Sequence, residues 1–161
     1  MSEGNGSSPT PETPVGPEGI RMQVLGQYVK DLSFENPGAP MSLNVRPNID
    51  LGVDLQAKRV DQERFEVELK LRVSAKGEDK TLFLLELVYA GVVAIQNVPE
   101  EFLQQMLLIE VPHLLFPFAR RVVADTIRDG GMPPLMIEPI DFAGLYRARV
   151  EQAQQAATAT A

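Results

Sequence analysis

The sequence predicts an α+β domain: a four-stranded antiparallel sheet with a long kinked helix and a C-terminal helix packed on one face. Three observations carry this prediction. From Met22 to about Ile95 the apolar residues recur with a period of two, as strands require when successive side chains leave opposite faces. After Asn97 the spacing becomes that of a helix, which repeats every 3.6 residues. The strands all precede the helices, so the two kinds of element segregate instead of alternating.

Residues 1–20, MSEGNGSSPTPETPVGPEGI, carry four prolines and four glycines and read as a disordered tail, too poor in apolar area to offset its ordering entropy. The first strand lies in QVLGQYVKDLSF and ends before the turn cluster Asn36-Pro37-Gly38. In the second, Ile49, Leu51, Val53 and Leu55 point one way, and Asn48, Asp50, Asp54 and Gln56 the other. The third alternates most regularly: Phe65, Val67, Leu69, Leu71 and Val73 interleave with Glu66, Glu68, Lys70, Arg72 and Ser74. Lys76-Gly77-Glu78-Asp79 then makes a short hairpin loop. The fourth strand, TLFLLELVYAGVVAI (81–95), is apolar on both faces apart from Glu86. Four consecutive strands with short links predict an antiparallel meander.

The helical part opens at Asn97-Val98-Pro99-Glu100, which has the form of a capping box. Phe102, Leu103, Met106, Leu107 and Ile109 follow at helical spacing. Pro112 and Pro117 are expected to interrupt or kink this helix, since each lacks an N–H and crowds the preceding turn. Spacing resumes through Phe118, Val122, Val123 and Ile127 until Gly130-Gly131. The segment MPPLMIEPI (132–140) is a loop, and a last helix starts near Asp141 with Phe142, Leu145, Tyr146 and Val150 on one side. The end, QAQQAATATA, is low in complexity. The domain is thus expected to span 21–152, with 153–161 a flexible tail.

Function is first constrained by exclusion. The chain has 161 residues, 44% of them hydrophobic, enough for one domain with a core. With 22 Asp+Glu against 15 Lys+Arg and a net charge of −7, it lacks the cations needed against phosphates or an anionic membrane. There is no cysteine and a single histidine, His113, which removes disulfides, thiolate ligands and multi-histidine zinc sites. No signal-peptide core and no run of roughly 20 apolar residues is visible, so a soluble protein is expected, and the absence of cysteine fits a cytoplasmic location. No phosphate loop, nucleophile elbow or helical metal pair occurs. Asp50 and Asp54 fit a solvated strand face, His113 a structural or surface role, and Glu100 and Glu101 a helix N-terminus.

What remains is surplus apolar surface. Two short helices cover one side of four strands, yet the fourth strand and the helix from 100 to 129 are apolar nearly all round. In a chain this small, that predicts oligomer interfaces or a surface for apolar partners. The loop Met132 to Pro139 either packs on its own sheet or forms an adaptable wall of an apolar groove, a role suited to flexible methionines.

Several segments then become recognisable together: YVKDLSFENPGAP (28–40), RFEVELKLRVSA (64–75), FLLELVYAGVVAI (83–95), PHLLFPFARRVVADTIRDGGMPPLMIEPIDFAGLY (112–146) and the Gln-rich final helix. Over about residues 20 to 152 the chain resembles the SecB family of bacterial protein-export chaperones. The resemblance implies a homotetramer, a dimer of dimers whose sheets extend through the first strand and whose long helices lie sandwiched between dimers. It implies ATP-independent holding of unfolded precursors and their delivery to the SecA motor, with no cofactor or metal of the protein's own. By position, Asp31, Glu35, Leu84 and Glu86 match the acidic surface that meets the motor's basic, zinc-stabilised C-terminal tail. Leu85, Leu87 and Tyr89 match helix-facing positions that influence tetramer assembly. The client groove would be lined by Ile49, Leu51 and Val53, by Tyr28 and Phe34, and by Met132, Leu135 and Ile137. Two alternatives stand beside this reading. One is a SecB-like chaperone dedicated to a single client, such as an antitoxin. The other is a hot-dog thioesterase, whose carboxylate would be Glu100, Glu101 or Glu110.

Overall fold

The computed structural model describes residues 19–160; the expected N-terminal tail falls outside that range but for its last two residues. Four strands form one antiparallel sheet: β1 (Arg21–Glu35), β2 (Asn48–Arg59), β3 (Arg64–Gly77) and β4 (Lys80–Gln96). Their order is β1-β4-β3-β2. The expected meander therefore holds for β2, β3 and β4, while β1 departs from it by lying against β4 instead of β2. Alternation encodes which face a residue occupies and says nothing of which strand is its neighbour. The composition of β4 supplies the reason: a strand apolar on both faces belongs in a sheet's interior, with a partner on each side. The link through 36–47, including a 3-10 turn at Met41–Asn44, carries the chain from one sheet edge to the other. At the β3–β4 hairpin, Glu78 (φ 49°) and Asp79 (φ 63°) are both left-handed, the requirement of a two-residue type I′ turn.

β1 carries two β-bulges, one between Val24 and Gly26 and one between Val29 and Asp31. Each inserts a residue without a partner and reverses the strand's inside–outside phase from there on.

Glu100–Asp129 is one continuous helix of 30 residues, made of α1 (Glu100–Gln105), a π turn (Met106–Glu110) and α2 (Val111–Asp129). The predicted capping box does not form. Pro99 is the N-cap, with no side-chain cap, and Asn97 instead adopts φ 60° and donates its amide to the Gly19 carbonyl at 3.2 Å. The expected disturbance at Pro112 appears as the π turn just before it: the Val111 N–H reaches back to the Met106 carbonyl, and this wider turn makes room for the proline ring. Pro117 sits inside α2 on its exposed side and does not end it. By length and composition this helix would be able to cross a membrane; its apolar residues Leu103, Leu107, Val111, Leu115, Val123 and Ile127 are instead buried in the fold.

Gly131, at φ 88°, closes α2. Its N–H bonds the Arg128 carbonyl (3.0 Å) while Met132 N–H bonds that of Ile127 (3.3 Å), a Schellman arrangement with both apolar flanks buried. α3 (Phe142–Ala159) is capped by Asp141, whose carboxylate accepts from Gly144 N–H at 3.0 Å. It continues past Gln152, where the domain was expected to end, because an Ala/Gln sequence sustains a helix even with every residue beyond 150 exposed.

The core lies on one side of the sheet. Val67, Leu69, Leu71 and Val73 of β3 and Leu85, Leu87 and Val93 of β4 are enclosed beneath the long helix. Close approach depends on Gly91, since a Cβ there would stand 2.8 Å from a methyl of Leu115.

Candidate functional site: the two faces of the sheet

The second bulge in β1 decides which residues share a face. Beyond it, Asp31 pairs with Val88, Ser33 with Glu86 and Glu35 with Leu84; directly opposed residues project to the same side. Asp31, Glu35, Leu84 and Glu86 are thus assembled on the outer face, away from the helices, from two adjacent strands. Asp31, Glu35 and Glu86 are exposed and Leu84 is half-buried. Arg72, opposite Glu86 on β3, stands 3.5 Å from its carboxylate.

A second charged group lies further along the same face and escaped the reading from sequence. Glu66 of β3 is a carboxylate only 8% exposed. It accepts from Lys30 Nζ at 2.7 Å and from the Tyr28 hydroxyl, with Lys58 Nζ at 3.2 Å. Lys30 also donates to Glu68 at 2.6 Å. The Lys30 and Tyr28 hydrogen bonds hold the Glu66 carboxyl down to about 2, against the opposing effect of burial. The same bonds to Glu66 and Glu68 raise the Lys30 ammonium above its ordinary range, and Glu66, followed by burial, raises the Tyr28 hydroxyl. β1 reaches β3 across β4 because Ala90, paired with both Tyr28 and Glu68, is small.

The groove residues are only partly brought together. Ile49, Leu51 and Val53 pair with Ala75, Val73 and Leu71 on the inner face of the edge strand β2, exposed or half-buried. A cavity of about 370 Å³ adjoins Val53, between β2, the π turn and α3, walled by Leu55, Leu108, Leu145 and Tyr146. Phe34 faces inward against Phe83, with ring centroids 5.8 Å apart. Tyr28 does not join it: lying before the bulge, it faces outward and bonds Glu66. In the loop after α2, Met132 and Ile137 are buried in the core, Leu135 is half-buried and Met136 is 63% exposed.

Leu85 and Leu87 are fully enclosed. Tyr89, at the margin, stacks on Phe118 of α2 at 6.5 Å, and Phe118 is itself 48% exposed. Of the candidate catalytic carboxylates, Glu101 and Glu110 are exposed and Glu100 lies 3.6 Å from Arg59. His113 is exposed against the edge of Phe142.

A sheet covered by helices on one face and carrying paired charges and exposed carboxylates on the other, with apolar side chains left open along its inner margin, has surfaces of the kind that bind other polypeptides. The family described as "Preprotein translocase subunit SecB" matches residues 17–153. "Protein-export protein SecB" of Parvibaculum lavamentivorans is 52% identical over 159 residues, covering 97% of this chain and 91% of that protein. Its counterpart in Hyphomonas neptunium is 52% identical over 153 residues, 93% and 90% of the two chains. The chain belongs to the SecB family of protein-export chaperones. Its fold is also that of a SecB-like chaperone from Mycobacterium tuberculosis solved with a peptide of the HigA1 antitoxin, at a TM-score of 0.64 and 17% identity over 74% of this chain and 91% of that one.

Proposed function

We propose that the protein is an ATP-independent holding chaperone of the cytoplasm: a homotetramer that binds unfolded precursors and hands them to the SecA motor. The observation that carries this reading is the apolar surface a single chain leaves open. Val29 and Leu32 on the inner face of β1, Leu114 and Phe118 on α2, and Ile49 on β2 are 39–48% exposed, although all flank the buried core. β1, 15 residues long, also forms a sheet edge with no further strand beside it among the described residues. Continuation of the sheet through β1 and pairing of the long helices would cover much of this surface, leaving the β2 margin for clients. Unfolded chains suit such a margin, which offers broad apolar contact with little demand on sequence. The outer acidic set suits a basic partner, by attraction that weakens with salt. General export is favoured over a dedicated antitoxin client by relatives near 50% identity named for protein export.

Native mass spectrometry with a permanently unfolded polypeptide, ATP omitted, tests the reading. A species near four times 17.7 kDa that takes up the unfolded chain and ignores a folded control is expected; a monomer that binds neither overturns it. Glu86→Lys is expected to lose SecA binding and keep client uptake.

A further inference from the structure

Given the phase that the first bulge leaves β1 in at Tyr28, Asp31 and Glu35 reach the outer face because the strand slips again at Lys30. In an unbroken strand continuing from Tyr28, Asp31 and Glu35 would fall on the inner face and Phe34 would face outward. The bulge reverses this, pairing Asp31 with Val88 and Phe34 with Leu85. A bulge forfeits regular ladder pairing and persists where something local holds it. Here the bulged residue is itself held. Lys30 lies 2.7 Å from Glu66 and 2.6 Å from Glu68, both on β3 and on the far side of β4. Glu66 is in turn fixed by Tyr28, just before the bulge, and by Lys58 from β2. Charge-assisted hydrogen bonds to a buried carboxylate are the strong, geometrically exacting kind.

We propose that Lys30 and Glu66 are positioning residues for the basic partner: their ion pair locks the β1 bulge and thereby holds Asp31 and Glu35 on the face of Leu84 and Glu86. The inference rests on the docking role proposed above for that face. It makes a prediction opposite in sign to simple electrostatics. Lys30 adjoins Asp31, so deleting its charge makes the neighbourhood more negative, and a basic partner would bind more tightly if charge alone mattered. If Lys30 positions, the same deletion lets the bulge shift and binding weakens.

The test uses the full-length protein and a zinc-loaded peptide of the SecA C-terminal tail, with binding measured by calorimetry and client uptake measured in parallel. Lys30→Met is expected to weaken peptide binding about tenfold, the order of one lost charge-assisted contact. Glu66→Gln should weaken it in the same direction, Lys30→Arg should restore it to within about twofold, and uptake of unfolded chain should stay unchanged in all three. Unchanged or tighter peptide binding by Lys30→Met, with Glu86→Lys still weakening it, overturns the positioning role and leaves the docking face intact. Parallel loss of client uptake also overturns it, since the pair would then support the fold at large. If Glu86→Lys itself leaves peptide binding unchanged, the docking reading fails and this inference with it.

Discussion

At the scale of residues, Glu66 gives the protein a defined response to acid. Its carboxyl titrates near 2 in the folded chain against an ordinary 4.5, so folding releases its proton. A depressed carboxylate stabilises fully above its unfolded value, and the contribution disappears as pH falls from 4.5 towards 2. The groups facing it are Lys30, Lys58 and Tyr28, and its share of the slope adds to that of Asp61, another carboxylate held below its ordinary value by hydrogen bonds to Arg64 and Glu63. Denaturant midpoints measured between pH 2 and 6 should therefore fall with acid in the wild type and fall less steeply in Glu66→Gln; equal slopes would remove Glu66 from the account. None of this was legible in the sequence. Alternation sets Glu66 on the polar side of its strand correctly, but a solvated carboxylate and a buried one look alike until β1 brings partners from 36 and 38 positions away. The grouping of Asp31, Glu35, Leu84 and Glu86, by contrast, rests on motif resemblance, because a strand's phase slip cannot be counted from spacing without knowing its partner.

At the scale of elements, the seat of the long helix on the sheet is the contact most exposed to overpacking. Gly91 and Leu115 meet where a single added carbon would stand 2.8 Å from a leucine methyl, and Leu115 is fully buried. Gly91→Ala should therefore destabilise the fold by about 1–3 kcal/mol through overpacking, and Leu115→Ala by about 2–5 kcal/mol through the cavity it leaves. Combined, the two should cost less than their sum, because the new methyl enters the new space; strict additivity in denaturant titrations would show that the pair does not limit the helix's approach. The four strands, the long helix and its Gly130-Gly131 stop all follow from local rules of period and capping, and these were readable. The crossover that seats β1 beside β4 and the failure of Asn97 to cap were not, since they depend on sheet order and on a contact with Gly19. The bulges left a trace: apolar positions in β1 run even at Met22 and Val24, odd at Val29, and even again at Leu32 and Phe34. That drift is visible once the partner strand is known.

At the scale of the whole molecule, the proposed reading asks one apolar inner margin to serve two purposes, assembly and client binding. Phe118 stacks on Tyr89 and is half exposed on α2 beside Leu114; Leu85 and Leu87 are enclosed below and would act on assembly by seating that helix. Leu51 is half-buried on β2, the sheet edge opposite β1, and Leu135 is half-buried in the loop after the long helix. If the helices join copies and the β2 margin receives clients, substitutions at the two places must separate the two properties. Phe118→Asp sets a charge in a surface that would be desolvated on assembly, so it should shift native mass spectra from four subunits to smaller species. Leu51→Arg and Leu135→Arg set a charge at positions still in reach of solvent, where a long cationic side chain can turn its head to water. They should leave the subunit number unchanged and lower the uptake of unfolded polypeptide severalfold, more for apolar clients than for polar ones. The reverse pattern, with assembly lost in the arginine variants and client uptake lost in an intact Phe118→Asp tetramer, would exchange the two surfaces: the β2 margin would join the copies, and the open face of the long helix would hold the unfolded chain.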